Sequence, residues 1–146
     1  MDEVALLKDL IDNNWSSNAT ALVSAGTISA SHAVTPDVID IRTTTANKGK
    51  RVDLSRTPAT IVIFEDSQNI EYPTVHYDIR HENYTFTLHI RVLHDERGGA
   101  DADYGKDRLR AIYLILRRVL ESKRKGYTAS DGSKFNQLFL GARSES

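Results

Sequence analysis

Apolar residues open the chain at helical spacing, with Val4, Leu6, Leu7, Leu10 and Ile11 on one side of residues 2–13. Asp2 stands where an N-cap would, and Asp2 with Glu3 supplies the negative charge that a helix N-terminus favours. Asp12, Asn13 and Asn14 read as a stop, with Trp15 folding back, so a short helix is expected within residues 1–15. Residues 16–35 are rich in Ser, Ala and Thr and interrupted by Gly26. They read either as a loop or as weakly formed structure. The period then changes to two. Residues 37–43 place Ile39 and Ile41 on one face, and residues 59–64 (ATIVIF) are apolar on both faces, as in a central strand. Residues 72–80 and 84–94 both alternate. The second run puts Tyr84, Phe86, Leu88, Ile90 and Val92 on one face and Thr85, Thr87, His89 and Arg91 on the other. The spacer His81-Glu82-Asn83 makes these two runs a predicted hairpin.

A Gly-containing connection, DERGGAD, leads to a long helix predicted over residues 103–125. Its apolar stripe is Leu109, Ile112, Ile115, Leu116, Val119 and Leu120, and Gly126 stops it. A turn around Asp131-Gly132 follows, then a last strand at 135–140 and a loop-like ending. The spacing therefore predicts one α+β domain over residues 1–146. An antiparallel or mixed sheet of about four to five strands, built from residues 37–94 and 135–140, lies under the long C-terminal helix, with a short N-terminal helix beside it.

Composition narrows the function classes. The chain has 146 residues, 40% of them hydrophobic and 27% charged, which suits one ordinary core and not a disordered segment. Nineteen Lys and Arg against 20 Asp and Glu leave a net charge of −1, which argues against a generic DNA-binding domain. The absence of cysteine removes disulfides, thiolate metal sites and cysteine nucleophiles. Acids at the start and the lack of a long apolar run predict neither a secretory signal nor a membrane span.

The balanced total hides an asymmetry. Residues 1–40 carry Asp2, Glu3, Asp9, Asp12, Asp37 and Asp40 against Lys8. The long helix and its end carry Lys106, Arg108, Arg110, Arg117, Arg118, Lys123, Arg124 and Lys125 against Asp107 and Glu121. The 42–56 stretch is basic as well. One reading is self-complementarity between copies, closing into a ring. The other is a solvated helix face with bases favoured at its C-terminus.

Candidate chemistry is sparse. His76 and His89 share a polar hairpin face, and Asp78 is the nearest third metal ligand, but cross-strand polar pairing explains them as well. Glu65 and Asp66 end the ATIVIF strand with Asp53 upstream, yet the lysine of a restriction-type nuclease site is missing. Neither Arg97-Gly98-Gly99 nor Asn47-Lys48-Gly49-Lys50 makes a phosphate-binding loop, and there is no nucleophile elbow. The basic loop and helix suit phosphates, and Tyr72, Tyr77, Tyr84 and Phe86 suit base stacking, although Tyr77 and Phe86 fall on faces expected in the core.

The order of elements carries a resemblance. A short N-terminal helix precedes strands, and a basic polar loop precedes ATIVIFE. A hairpin strand reads Leu88-His89-Ile90-Arg91-Val92, and Asp103-Tyr104 leads into the amphipathic helix 109–120. This pattern, over about residues 1–140, resembles the tail-terminator, tail-completion and neck (head–tail joining) proteins of tailed bacteriophages and their archaeal relatives. In that family the hairpin strand alternates as "v.i.v" and the linker reaches its helix through "d...a". The resemblance implies a structural virion subunit, made in the host cytoplasm, that assembles with itself into a ring, often hexameric, at the head–tail junction. Its partners would be the tail tube protein and the connector or head-completion protein, with DNA passing through the lumen without sequence specificity. It implies no enzyme, no cofactor, no metal and no membrane.

On this resemblance Lys48, Lys50, Arg51, Arg56, Thr85, Thr87, His89 and Arg91 are candidates for the lumen or tube contact. Arg110, Arg117, Arg118, Arg124, Asp9 and Asp12 are candidates for contact between subunits. Relatives commonly add a strand after the one placed at 135–140, whereas this sequence stops at Ser146. Either the chain is cut short there or a neighbour fills that edge. The alternatives are a small nucleic-acid-binding accessory protein and a hydrolase with an unrecognised site.

Overall fold

The computed structural model describes residues 2–40, 59–71, 81–92 and 104–141. Helix α1 spans Glu3–Ser24, followed by a 3-10 turn at Ala30–His32. Strands β1 (Asp37–Asp40), β2 (Ala59–Glu71) and β3 (His81–Val92) precede helix α2 (Tyr104–Ser122). Strands β4 (Tyr127–Thr128) and β5 (Lys134–Phe135) form a small ribbon of their own. The fold is α+β. The main sheet has the order β1-β2-β3, with β1 parallel and β3 antiparallel to β2.

Among the described residues the N-terminal helix is the longest, 22 residues against 19 for α2, and not the short helix expected. Asp2 caps it as predicted, its carboxylate accepting from the Ala5 N–H at 2.8 Å. The expected stop at residues 12–14 does not occur. The side-chain amides of Asn14 and Asn18 donate to the carbonyls of Leu10 and Asn14, so these polar groups bond along the helix instead of breaking it. Trp15 therefore lies within α1, buried in the core, and its indole N–H donates to the Val34 carbonyl at 3.1 Å. The helix ends at Gly26, whose φ of 75° suits glycine. The Gly26 N–H bonds the Val23 carbonyl and the Thr27 N–H bonds the Leu22 carbonyl, which is a Schellman cap.

Strand β2 is central, as its two apolar faces predict. The register lines residues up in rows across the sheet: Asp37–Thr60–Arg91, Val38–Ile61–Ile90, Ile39–Val62–His89 and Asp40–Ile63–Leu88. Val38, Ile61 and Ile63 point toward the helices and join Leu10, Ile11, Trp15, Ile112, Ile115 and Val119 in one buried cluster. On the other face Thr60 and Val62 are only 2% and 3% exposed, flanked on both sides by their row neighbours.

The hairpin is displaced from its predicted place. Strand 84–94 was expected to pair with 72–80 across a turn at 81–83. Instead β3 begins at His81 and pairs with β2, so that His81, Glu82 and Asn83 lie opposite Glu71, Ile70 and Asn69. Residues 72–80 lie outside the described residues. Strand β2 also runs past Glu65 and Asp66, because a β-bulge at this point absorbs the irregularity and pairing resumes at Ser67. The sheet thus has three strands among the described residues, and the expected four to five are not found in it.

Helix α2 covers the sheet with Ala111, Ile112, Ile115, Leu116, Val119 and Leu120. The stripe begins at Arg108 and not at Leu109: Arg108 is 8% exposed and Leu109 40%. Positions 108, 112, 115 and 119 share the buried side at helical spacing, and the long Arg108 stem reaches out so that its guanidinium donates to the Ser31 carbonyl at 3.2 Å. Gly126 terminates the turn after α2 at φ 136°. The strand expected at 135–140 shrinks to Lys134–Phe135, paired with β4 and not with the main sheet. Beyond it Leu138 packs on the core, while Phe139 stands 84% exposed.

The two capping glycines give a test. A Cβ at residue 26 would meet nothing within 4 Å, so Gly26→Ala carries only the left-handed backbone cost, about 1–2 kcal/mol. A Cβ at residue 126 would also stand 3.1 Å from the Phe135 carbonyl oxygen. Gly126→Ala is therefore expected to be the more destabilising, read as a larger fall in the urea midpoint at unchanged m.

Candidate functional site

Among the described residues two helices cover one face of the sheet, and exposed positions lie on the opposite face of β3 and on the outer side of α2. Thr85, Thr87, His89 and Arg91 lie on the uncovered face, all four exposed, as the alternation predicts. The His89 ring stacks obliquely on Phe64, with centroids 4.6 Å apart. The Thr87 hydroxyl bonds to the Asp66 carboxylate at the bulge. Lys48, Lys50, Arg51 and Arg56 lie outside the described residues.

Arg110, Arg117, Arg118 and Arg124 are all exposed and give the outer side of α2 and the turn after it a basic character. Glu121, four residues on, accepts from the Arg117 Nε at 2.9 Å, and this contact holds the guanidinium above its usual pKa. The acidic candidates on α1 are engaged within the chain. Asp12 pairs with Lys8 at 2.6 Å on the surface. Asp9 accepts from the Tyr127 hydroxyl at 2.6 Å, tying the β4–β5 ribbon to α1. Nothing local in the sequence signals that bond, since its partners stand 118 residues apart.

Glu65 and Asp66 do not form a carboxylate pair. Glu65 lies in register with Phe86 on the helix side, whereas Asp66 reaches Thr87 on the uncovered side. The Tyr84 hydroxyl donates to Glu82 at 3.2 Å. Partial burial, and then the charge of Glu82, raise the Tyr84 phenol above its usual pKa. Among the described residues no group of three His, Asp or Glu side chains is arranged to hold a metal ion; His76, Asp78 and Asp53 lie outside them. A shallow groove of about 280 Å³ runs along the second half of α1, between Trp15, Ala19, Val23 and the 30–35 segment. Its walls carry hydroxyls and small apolar groups and neither acid nor base. Among the described residues no helix is long and apolar enough to cross a membrane.

No family model matches the chain, and no curated protein or solved structure matches it.

The Tyr127–Asp9 bond predicts a pH effect. Burial first, and the bond to Asp9 second, hold the Tyr127 phenol above the ordinary value of 10.0. A group whose pKa is raised by folding stabilises the fold fully below its unfolded value and loses that contribution as pH rises through the folded one. Wild type is therefore expected to lose stability above pH 10.0 more steeply than Tyr127→Phe. At neutral pH the variant should be weaker by about 1.5 kcal/mol, the size of a hydrogen bond to a charged acceptor. Urea melts at several pH values measure both.

Proposed function

We propose that the chain is a structural subunit of the head–tail junction of a tailed virus. Copies assemble into a ring that ends or completes the tail tube and meets the connector, with DNA passing through the lumen. The observation that carries this reading is the two-sided build of the molecule. Both helices lie on one face of the sheet, and the other face presents the exposed row Thr85, Thr87, His89 and Arg91. The exposed polar row of β3, with Arg91 in it, suits a channel wall past which a polyanion moves, and the basic outer side of α2 suits contact between subunits. In this reading the protein is a building block and does no chemistry. The resemblance of the sequence to tail-terminator and neck proteins supports it.

The basic side of α2 also suits phosphates, which favours a small nucleic-acid-binding accessory protein as the second reading. DNA binding by the monomer with a steep salt slope would support that reading.

Negative-stain electron microscopy of the purified chain, alone and mixed with tail tubes, tests the ring. Particles with a central channel are expected, free or capping tube ends. A chain that stays monomeric at high concentration and ignores tubes would sink the proposal. Arg117→Glu combined with Arg118→Glu should lower ring occupancy while changing monomer stability by no more than about 0.5 kcal/mol, because both side chains are exposed. Unchanged assembly would remove these two residues from the contact.

A further inference from the structure

We propose that copies join through the two unlike edges of the sheet, β1 of one copy adding to β3 of the next. This deepens the ring reading and rests on it. Among the described residues β1 and β3 are the outer strands. They are unlike: β1 has four residues and runs parallel to β2, and β3 has twelve and runs antiparallel. When copies stand side by side around an axis along their strands, every β1 points one way and every β3 the other. The β1 edge of one copy then meets the β3 edge of the next as an antiparallel pair. A contact between unlike edges uses each edge once and closes into a ring when its rotation permits, whereas a contact between one pair of like edges stops at a dimer.

Side-chain chemistry selects the second copy as the occupant and also the register. Asp37 and Arg91 end the same row, Asp37–Thr60–Arg91, on the same uncovered face, and both are exposed. Repeating the sheet without stagger sets Arg91 of one copy beside Asp37 of the next, an acid against a base. In the next row Ile90 meets Val38 on the helix side. Ile90 is only half-buried in the single chain, in line with Phe86, Leu88 and Val92, while its central neighbour Ile61 is fully buried. A neighbouring strand covers that open flank. A slip of one residue would turn the apolar set to the wrong face, and a slip of two would separate Asp37 from Arg91. The pairing also removes the hazard of an open edge strand.

The chain has no cysteine, which makes the test clean. Within one copy Asp37 and Arg91 stand two strand spacings apart, about 9.6 Å, beyond the reach of a disulfide of about 7 Å. A chain carrying Asp37→Cys and Arg91→Cys is oxidised and run on a non-reducing gel, and the same sample is viewed by electron microscopy. A ladder of covalent multimers ending at the ring number is expected, with each single variant remaining monomeric on the gel. Rings in the micrographs without cross-linking beyond that of the single variants would overturn the edge pairing and leave the ring reading standing. Neither rings nor cross-links would overturn both. Charge exchange is the second test: Arg91→Asp and Asp37→Arg should each weaken assembly about tenfold, and their combination should restore it. Failure of the combination to recover, with both single variants folded, would overturn the pairing.

Discussion

The inner face of β2 sets what the other elements must do. Ile61 and Ile63 have no solvent contact, and a strand buried this deeply needs a neighbour on each side and a cover above. Strands β1 and β3 supply the neighbours. Helix α2 supplies part of the cover through Ile112, Ile115 and Val119, and α1 the rest through Leu10, Ile11 and Trp15. Arg108 near the start of α2 reaches Ser31 beyond the end of α1, and Tyr127 after the end of α2 reaches Asp9 in the first half of α1. The helices therefore run in opposite directions over the sheet.

Both described helices lie on one face of the sheet, and the exposed polar row of β3 lies on the other. The self-contact changes in character once the side chains are placed. Asp9 and Asp12, in the first half of α1, have partners within the chain. The acid that stands level with an exposed base on the sheet is Asp37, in the row that ends at Arg91. The outer Arg side chains of α2 remain a second surface for a neighbour or for phosphates.

Some of this was legible in the residues and some was not. The period-two alternation of 84–92 gave both faces of β3 correctly, because one face is packed and the other is wet. The Asp2 cap is a local signal and readable as such, whereas α2 ends at Ser122, before the stop that Gly126 suggests. Ser, Ala, Thr and Asn dilute the helical pattern in the second half of α1. The signal was present in Val4, Leu7, Ile11, Trp15 and Ala19, which recur every three or four residues. The hairpin was misplaced because nearness in sequence favoured 72–80, whereas β2 extends through a bulge that no local residue type announces. Leu109 was assigned to the stripe by residue type, when the helix phase instead buries the stem of Arg108. The rows that join Asp37 to Arg91 depend on pairing across more than fifty residues and appear only once the sheet is assembled.

The central claim is that copies meet along their sheet edges. Amide hydrogen exchange, followed as the protein concentration carries the chain from monomer to assembly, tests it most directly. Residues 37–40 and 88–91 are predicted to gain protection together on assembly. Assembly that leaves both edge strands exchanging as in the monomer would contradict the account.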